Sequence, residues 1–402
     1  MTGTLLLALN FPPFGGGIAR MMGEVALRYP PGGLTISTGT WRGWEASDPR
    51  FPQTIDRVAI GAKRLRTLNG LGLWTWRAAS LARRSRPAFV WCDEVKPAGY
   101  AAAWLHARGG PPFGVIAHGA DFLLLDAKIR RSVFKRWTAR HILERCSVVV
   151  ANSHWTADLA RSVLEFLGCR ALAADVRVVP LGTTPSRFRP GIDPAPVRRQ
   201  HRLEGGPWLL TVARLDFHKG IDTVIRALPA IRAVFPTACY AVAGVGSRRA
   251  ALEHLVAELG LGDAVRLLGF VTDHELPALY NAADLFVLAS RRYDLLVEGF
   301  GISIVEASAS GLPVIGSRSG GIPEAIRDGE TGFLVEPDDS AAVAAAAIRL
   351  LGDAALRRRM GAAGRAAVET YYNWDRVTAD LIRIDQEFRS RRSRLLQEDA
   401  SG

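Results

Sequence analysis

Leu285-Phe-Val-Leu-Ala-Ser290, then Arg291-Arg-Tyr-Asp-Leu-Leu-Val297, then Glu298-Gly-Phe-Gly-Ile-Ser-Ile-Val-Glu306-Ala-Ser-Ala-Ser310 read in succession as a strand, a polar loop and a helix. The apolar run Leu285–Leu288 suits a strand buried on both faces, and Gly311-Leu-Pro313 ends the helix that opens near Ile302. Glu298 therefore sits on the loop after a strand and Glu306 about one turn into the helix, eight residues on. The free N–H groups of Gly301, Ile302 and Ser303 lie at a helix start, where unpaired amides and the macrodipole attract phosphate. A carboxylate one turn in can accept from the vicinal hydroxyls of a ribose, and one on the preceding loop from those of a sugar. That arrangement fits a nucleotide-sugar. Taken alone, Glu306 also reads as an ordinary first-turn glutamate favoured by the dipole.

The same strand-then-helix unit recurs on both sides. Upstream in this half lie strand candidates at Trp208–Val212, Cys239–Ala243 and Val265–Leu268, and downstream at Val314–Gly316 and Gly332–Val335. The first half repeats the pattern with strands at Leu5–Leu9, Ala88–Trp91, Phe113–Ala117, Ser147–Ala151 and Val176–Val179. Helices are expected from about Ile18, from Pro97 through Ala107, as one long element from Ile129 to Cys146, and from about Ser153. Such alternation predicts α/β architecture with parallel, doubly wound sheets. The chain of 402 residues suits two such domains. The boundaries read as an N-terminal domain over 1–185, a Pro- and Arg-rich linker over 186–206, a second domain over 207–371, and a tail 372–402. The tail reads as a helix over Tyr372–Arg389, with the Arg-rich stretch that follows and Gln397–Gly402 expected to be frayed or disordered. Two such domains imply a cleft facing the carboxyl ends of their strands.

The other chemical candidates fall at strand ends. Gly15-Gly16-Gly17 follows the first strand and opens a helix, letting backbone approach a diphosphate, or serving as a tight turn. Arg214 and Lys219 lie on one strand-to-helix loop, where two cations can clamp a diphosphate and stabilise a leaving nucleoside diphosphate. His118 ends a strand and can donate to a sugar hydroxyl, though taken alone it also reads as a packed histidine, while His218 reads as an ordinary loop histidine. Gly244-Val-Gly246 and Gly269-Phe-Val271 end adjacent strands and can hold a nucleobase or equally serve as plain β-turns. No D-x-D dyad stands at a strand end. The acidic pairs Asp93-Glu94 and Asp338-Asp339 read as surface turns, so no metal and no cofactor is expected.

Composition bounds the compartment and partners. Hydrophobic residues make up 48% and charged residues 22%, and the four cysteines are scattered without metal spacing, which fits a reducing, cytoplasmic setting. No run approaches membrane-spanning length. The net charge of +12 concentrates at Lys63–Arg66, Arg77–Arg86, Arg130–Arg145 and Arg389–Arg394. No nucleic-acid module is legible, so nucleic acid is not the expected partner. Lys63-Arg-Leu-Arg66 leads into Leu71-Gly-Leu-Trp-Thr-Trp76 and then Arg77, Arg83, Arg84 and Arg86. This pattern suits either peripheral contact with an anionic membrane or a solvated basic face with its tryptophans in the core.

Taken as an ordered set, these residues resemble the retaining glycosyltransferases of family 4, which have the two-Rossmann-domain GT-B architecture. The carrying segments are Phe14-Gly15-Gly-Gly17, His118-Gly119, Val179-Pro-Leu-Gly182 with Phe188-Arg-Pro190, Arg214 with Lys219, Glu298 through Ala307, Gly311-Leu-Pro-Val314, Gly320 through Glu324, and Gly329 through Leu334. The resemblance implies that Glu306 binds the ribose and Glu298 the hydroxyls of the transferred sugar. Arg214 and Lys219 would hold the diphosphate with backbone amides of Gly16, Gly17, Gly301 and Ile302. His118 would contact the sugar near its reactive carbon, with Val271 beside the base and Phe300 in the donor loop. It further implies metal-free front-face displacement with retention, and a C-terminal helix crossing back to the N-terminal domain. Val297-Glu-Gly-Phe-Gly301 is similar to the phosphatidylinositol mannosyltransferase branch, which implies GDP-mannose as donor and a lipid-linked or saccharide acceptor at the inner face of a membrane. Leu181-Gly-Thr-Thr184 and Arg291-Arg-Tyr-Asp294 depart from the usual pattern and leave UDP-glucose, UDP-N-acetylglucosamine and other hexose donors open. A different class also stays open: a basic lipid- or nucleic-acid-binding protein with a degenerate sugar-nucleotide site.

Overall fold

The computed structural model describes residues 3–401. The chain forms two compact units: one takes it to Leu181 and again from Trp374, the other runs from Gly182 to Asn373.

The first unit is built on a seven-stranded parallel sheet: β1 Thr4–Leu7, β2 Leu34–Thr40, β3 Thr54–Gly61, β4 Phe89–Cys92, β5 Phe113–Ala117, β6 Val148–Ala151 and β7 Arg177–Val178, in the order β3-β2-β1-β4-β5-β6-β7. Strands β1, β4, β5 and β6 are buried along their whole length, which is why they read as unbroken apolar runs. Strands β2 and β3 escape the sequence reading because β2 is largely polar and Asp56-Arg57 interrupts the apolar residues of β3. Trp74 Nε1 donates to Ser37 Oγ (3.1 Å), and Arg77 Nε to Asp56 Oδ1 (2.8 Å), so the helix Leu68–Ser85 satisfies one buried polar side chain in each strand. The long helix expected over Ile129–Cys146 is two helices, Ala120–Arg131 and Val133–Leu143. Ser132 between them is extended and its hydroxyl caps the second.

The final helix, Trp374–Ser401, belongs to this unit, and continues past the point where fraying was expected; Gly402 lies outside the described residues. Its docking is polar at one point and aromatic at another. Asp385, fully buried, accepts from Thr4 Oγ1 (2.8 Å) and from Tyr29 Oη, and the Phe388 ring lies 6.1 Å from that of Phe89.

The second unit carries six parallel strands: β8 Trp208–Val212, β9 Cys239–Ala243, β10 Val265–Gly269, β11 Leu285–Leu288, β12 Val314–Ser317 and β13 Gly332–Val335, in the order β10-β9-β8-β11-β12-β13. The stretch 186–206, expected as a linker, packs into this unit and carries a helix, Ala195–His201. Phe188, Val197 and Leu203 are buried, and Arg198 Nη2 donates to the Ala282 carbonyl (2.9 Å). Three spaced apolar anchors suffice to seat a segment whose composition looks like a connector.

In each sheet the strand order reverses once, between β1 and β4 and between β8 and β11. The loops leaving those paired strands diverge to opposite faces and open a crevice at the carboxyl ends, where open α/β sheets bind ligands.

Candidate active site

At the second reversal, the loop after β8 and the loop after β11 meet through Lys219 and Glu298. The Lys219 ammonium ion-pairs with Glu298 Oε2, and both side chains are largely buried. Lys219 ends a one-turn helix, Phe217–Lys219, and the loop after β11 is clamped to it. Arg291 is buried; its Nη2 pairs with Asp222 (2.6 Å) and donates to Thr223 Oγ1 (2.7 Å), and its Nη1 pairs with Asp338 (2.7 Å). Its guanidinium also lies 4.5 Å from the centroid of the Phe217 ring. The unusual Arg291-Arg-Tyr-Asp294 stretch thus has a structural role at its first residue. His218 is not an ordinary loop histidine: it is buried, its Nδ1 has no hydrogen-bond partner, and burial, reinforced by Lys219, pushes its pKa down to about 4.

The helix Ile302–Ala309 starts at Gly301, whose φ of 97° is one that only glycine adopts freely. No side chain caps this start, so its first-turn N–H groups stay available to an anion. Glu306 is buried inside this helix and accepts from Tyr280 Oη (2.8 Å), which fixes its carboxylate. Phe300 is fully buried and anchors the loop. Val271 is buried and its neighbour Phe270 is highly exposed. Arg214 is not drawn into the Lys219–Glu298 pair. Its guanidinium is 68% exposed and meets Asp216 at 3.0 Å.

The first unit holds the remaining predicted residues. Gly16 (φ 119°) precedes the helix Gly17–Arg28, which again has no side-chain cap. His118 is buried at the end of β5; its Nε2 lies 2.9 Å from the Asp93 carbonyl and its backbone N–H donates to Asp121 Oδ1 (2.9 Å). Burial lowers its pKa, so the neutral ring must donate through Nε2 to that carbonyl. Nδ1 is then an acceptor, and the expectation that His118 donates to a sugar hydroxyl is corrected: the ring can receive one.

Asp93 and Glu94, expected on a surface turn, are instead the centre of the first reversal. Asp93 is fully buried, and its Oδ2 accepts from the Asn10 backbone N–H (2.8 Å) and from Asn10 Nδ2 (3.2 Å). Asn10 Nδ2 also reaches Glu94 Oε1, which Arg66 approaches at 3.2 Å. Burial, with the Glu94 charge adding, pushes the Asp93 pKa up to about 8, and burial raises that of Glu94 too. Asn10, Arg66, Asp93, Glu94 and Tyr280 were missed as site residues. Only their place just beyond two apolar strand runs was legible in the sequence; that the order reverses between those strands, β1 and β4, is known from the sheet alone. Asp338 and Asp339 do lie at the surface. Among the described residues, no group of three or more His, Cys, Asp or Glu side chains gathers as a cation site.

Residues 15–187 match the family described as Glycosyltransferase Family 4, and residues 195–367 the family described as Glycosyl transferases group 1. The chain is 31% identical over 389 residues to the GDP-mannose-dependent alpha-(1-6)-phosphatidylinositol monomannoside mannosyltransferase of Mycobacterium tuberculosis, covering 95% of this chain and 97% of that one. It is 36% identical over 230 residues to the D-inositol 3-phosphate glycosyltransferase of Nocardia farcinica, covering 55% of this chain and 49% of that one. Among solved structures, Anabaena HepE in complex with UDP superposes with a TM-score of 0.78 at 20% identity, covering 96% of this chain and 100% of that one. At that identity the match speaks for the fold alone.

Proposed function

This chain belongs to the family 4 glycosyltransferases, a family of hexosyltransferases, and we propose that it moves a mannosyl group from GDP-mannose to a hydroxyl of a lipid-linked acceptor, with retention and without metal. The observation that carries the reading is the Lys219–Glu298 pair set beside an uncapped helix start at the β8/β11 reversal. A cation, free amides and a carboxylate within one crevice match a diphosphate flanked by hydroxylated rings.

In this reading the donor diphosphate displaces Glu298 from Lys219. The ammonium and Arg214 then bind phosphate oxygens together with the amides of Gly301 and Ile302. Glu298, released, accepts from hydroxyls of the transferred sugar, and Glu306 from those of the ribose. As the glycosidic bond breaks, negative charge gathers on the leaving diphosphate, where these fixed groups stabilise it. The acceptor oxygen attacks the anomeric carbon from the face the diphosphate leaves. Its proton passes to a diphosphate oxygen, so no protein nucleophile is consumed.

Peripheral contact with an anionic membrane is part of the proposal. Trp74 is buried, but Leu68 is 88% and Trp76 60% exposed on the helix Leu68–Ser85, and Phe134 and Trp137 stand out from the helix Val133–Leu143 among arginines. No described helix is long and apolar enough to cross a membrane.

The test is a thermal shift in EDTA with GDP, UDP and ADP in parallel. A ligand at ~100 times its dissociation constant stabilises the folded state by about 2.7 kcal/mol. A shift with GDP alone supports the reading, a shift with UDP alone replaces the donor, and no shift with any nucleotide overturns the site.

A further inference from the structure

The helix Leu68–Ser85 borders a groove that no step of the transfer uses. The groove runs between this helix and the helix Ala98–His106, with His141 and Ile142 at its side, and holds about 770 Å³. Leu68, Leu71, Gly72, Thr75, Trp76 and Ala79 recur at three- and four-residue spacing, so a single face of the first helix makes one wall. Tyr100, Ala103, Trp104 and Ala107 make the opposite wall in the same way. A Cβ added at Gly72 would meet nothing within 4 Å, so the middle of the groove is open space. From Leu68 to Arg83 the groove follows about 22 Å of helix.

The two ends differ in character. At one, Leu68 and Trp76 are exposed and the mouth is apolar. At the other, the groove runs into a second cavity of about 440 Å³, which shares Ala79, Arg83, Trp104 and Arg108 with it and adds Arg86. The Arg108 guanidinium lies over the Trp104 ring, 3.7 Å from its centroid. Arg83, Arg86 and Arg108 are exposed and, among the described residues, form no ion pair. The two acids between Leu68 and Arg108 in sequence are Asp93 and Glu94, which stand past the carboxyl end of β4. Arg86 and Arg108 precede β4 and β5, at the opposite end of the sheet, and no carboxylate reaches them there.

An apolar channel that ends in guanidiniums without a counter-charge fits a linear chain with an anionic head. A peptide helix, about 10 Å across, would fill the groove's volume in less than two turns. A two-chained phospholipid would leave its second chain without a wall. One acyl chain spans about 15 Å, half of a bilayer's hydrocarbon core, and the groove is long enough to hold it with its head. Guanidinium forks match a carboxylate through two parallel hydrogen bonds.

We infer that this groove binds a long-chain fatty acid, with the carboxylate on Arg83 and Arg108 and the chain along Trp104, Ala79 and Thr75 toward Leu71. The site is separate from the β1/β4 reversal, because its charged end lies at the amino ends of the strands. It opens on the face proposed above for membrane contact, where a long-chain amphiphile is presented to the protein. The inference rests on no part of the transferase reading.

The experiment is calorimetric titration of the full chain with dodecanoate, octanoate and dodecylamine, each below the concentration at which it self-associates. Gly72→Phe and Arg108→Gln are titrated beside the wild type, and flotation with phosphatidylglycerol vesicles runs in parallel. Dodecanoate should bind at one site about a hundredfold more tightly than octanoate, which buries four fewer methylenes. It should bind at least about tenfold more tightly than dodecylamine, whose head carries the wrong charge. Gly72→Phe fills the groove and Arg108→Gln removes a head contact. Each should weaken dodecanoate about tenfold or more while keeping the wild-type melting temperature and response to GDP. Equal affinity for dodecanoate and dodecylamine, variants that bind as the wild type does, or no binding of dodecanoate overturns the inference. Vesicle binding that depends on Gly72 and Arg108, without dodecanoate binding, also overturns it and gives the groove to a bilayer lipid. A wild type that binds dodecanoate but no nucleotide leaves the groove assigned and overturns the donor reading instead.

Discussion

Lys219 and Glu298, 79 residues apart in sequence, are ion-paired across the gap between the loops that leave β8 and β11. Without a ligand each neutralises the other, so the crevice holds its charges in a form that a diphosphate and a sugar can exchange into. Glu298→Ala should abolish measurable turnover, a loss of about 10²-fold or more. It should cost only about 1–2 kcal/mol of stability, since the pair is partly open to solvent. Mannosyl transfer and chemical denaturation of the variant check both halves, and an active Glu298→Ala enzyme would remove the core of the mechanism.

Tyr280 holds Glu306 rather than touching substrate in the proposed mechanism. Tyr280→Phe keeps the packing against Phe188 and Phe286 and removes one hydrogen bond to a carboxylate. GDP affinity should fall several-fold, corresponding to about 1–2 kcal/mol, with kcat changed far less than KM. Nucleotide titration decides it, and an unchanged dissociation constant would mean that Glu306 is positioned without Tyr280.

Arg291 joins three segments through Asp222, Thr223 and Asp338 while stacking on Phe217. Arg291→Ala leaves those partners in place and opens a void, so it should destabilise by about 2–4 kcal/mol. Because the loop it anchors leads to Glu298, turnover should fall as well. Urea denaturation and turnover are the paired measurements; a variant with wild-type stability would show that the loop is held by other contacts.

Asp93 has a folded pKa of about 8 against an ordinary value of 3.8, raised by burial first and then by Glu94. A raised folded pKa means that the folded state holds the proton more tightly between those two values. The contribution of Asp93 to stability is therefore full below about 3.8 and is lost as pH rises through about 8. Asp93→Asn keeps an acceptor for the Asn10 N–H and cannot ionise. Its melting temperature should decline less than that of the wild type as pH is raised through about 8. Identical pH profiles for the two proteins would rule out Asp93 as the titrating group.

The exposed apolar residues give a membrane test. Replacing Leu68 and Trp76 by serine should reduce co-sedimentation with anionic vesicles by about tenfold. Neither residue is buried, so the fold should be undisturbed. Unchanged sedimentation would leave the basic surface with no membrane role on this helix.

How much was legible in advance follows from where the information resides. All six strands of the second unit coincide with their expected positions to within a residue, because each is a short apolar run marked by composition, almost wholly buried in β8, β9, β11 and β12 and partly buried at the edges β10 and β13. Strands β2 and β3 were invisible because Ser37 and Asp56 are compatible with burial only once Trp74 and Arg77 are in place. The break at Ser132 left a pattern that an uninterrupted helix would also show. At the site, Glu298, Lys219 and the glycine before Ile302 could be named from local spacing. Asp93 and Glu94 could not, since two adjacent acids in a sequence resemble a solvated turn.

The sequence by itself determined the alternation of strand and helix, the parallel sheets that alternation requires, and the glycines and charged groups at the strand ends, because each of these depends on neighbours within a few residues. Tertiary structure alone decided the strand order and its two reversals, the burial of Asp93 and His218, and the partners Tyr280 for Glu306, Lys219 for Glu298 and Asn10 for Asp93. Those are properties of surfaces meeting. A side chain's charge, pKa and role are set by groups tens of residues away, which come within hydrogen-bonding distance only after the sheets have formed.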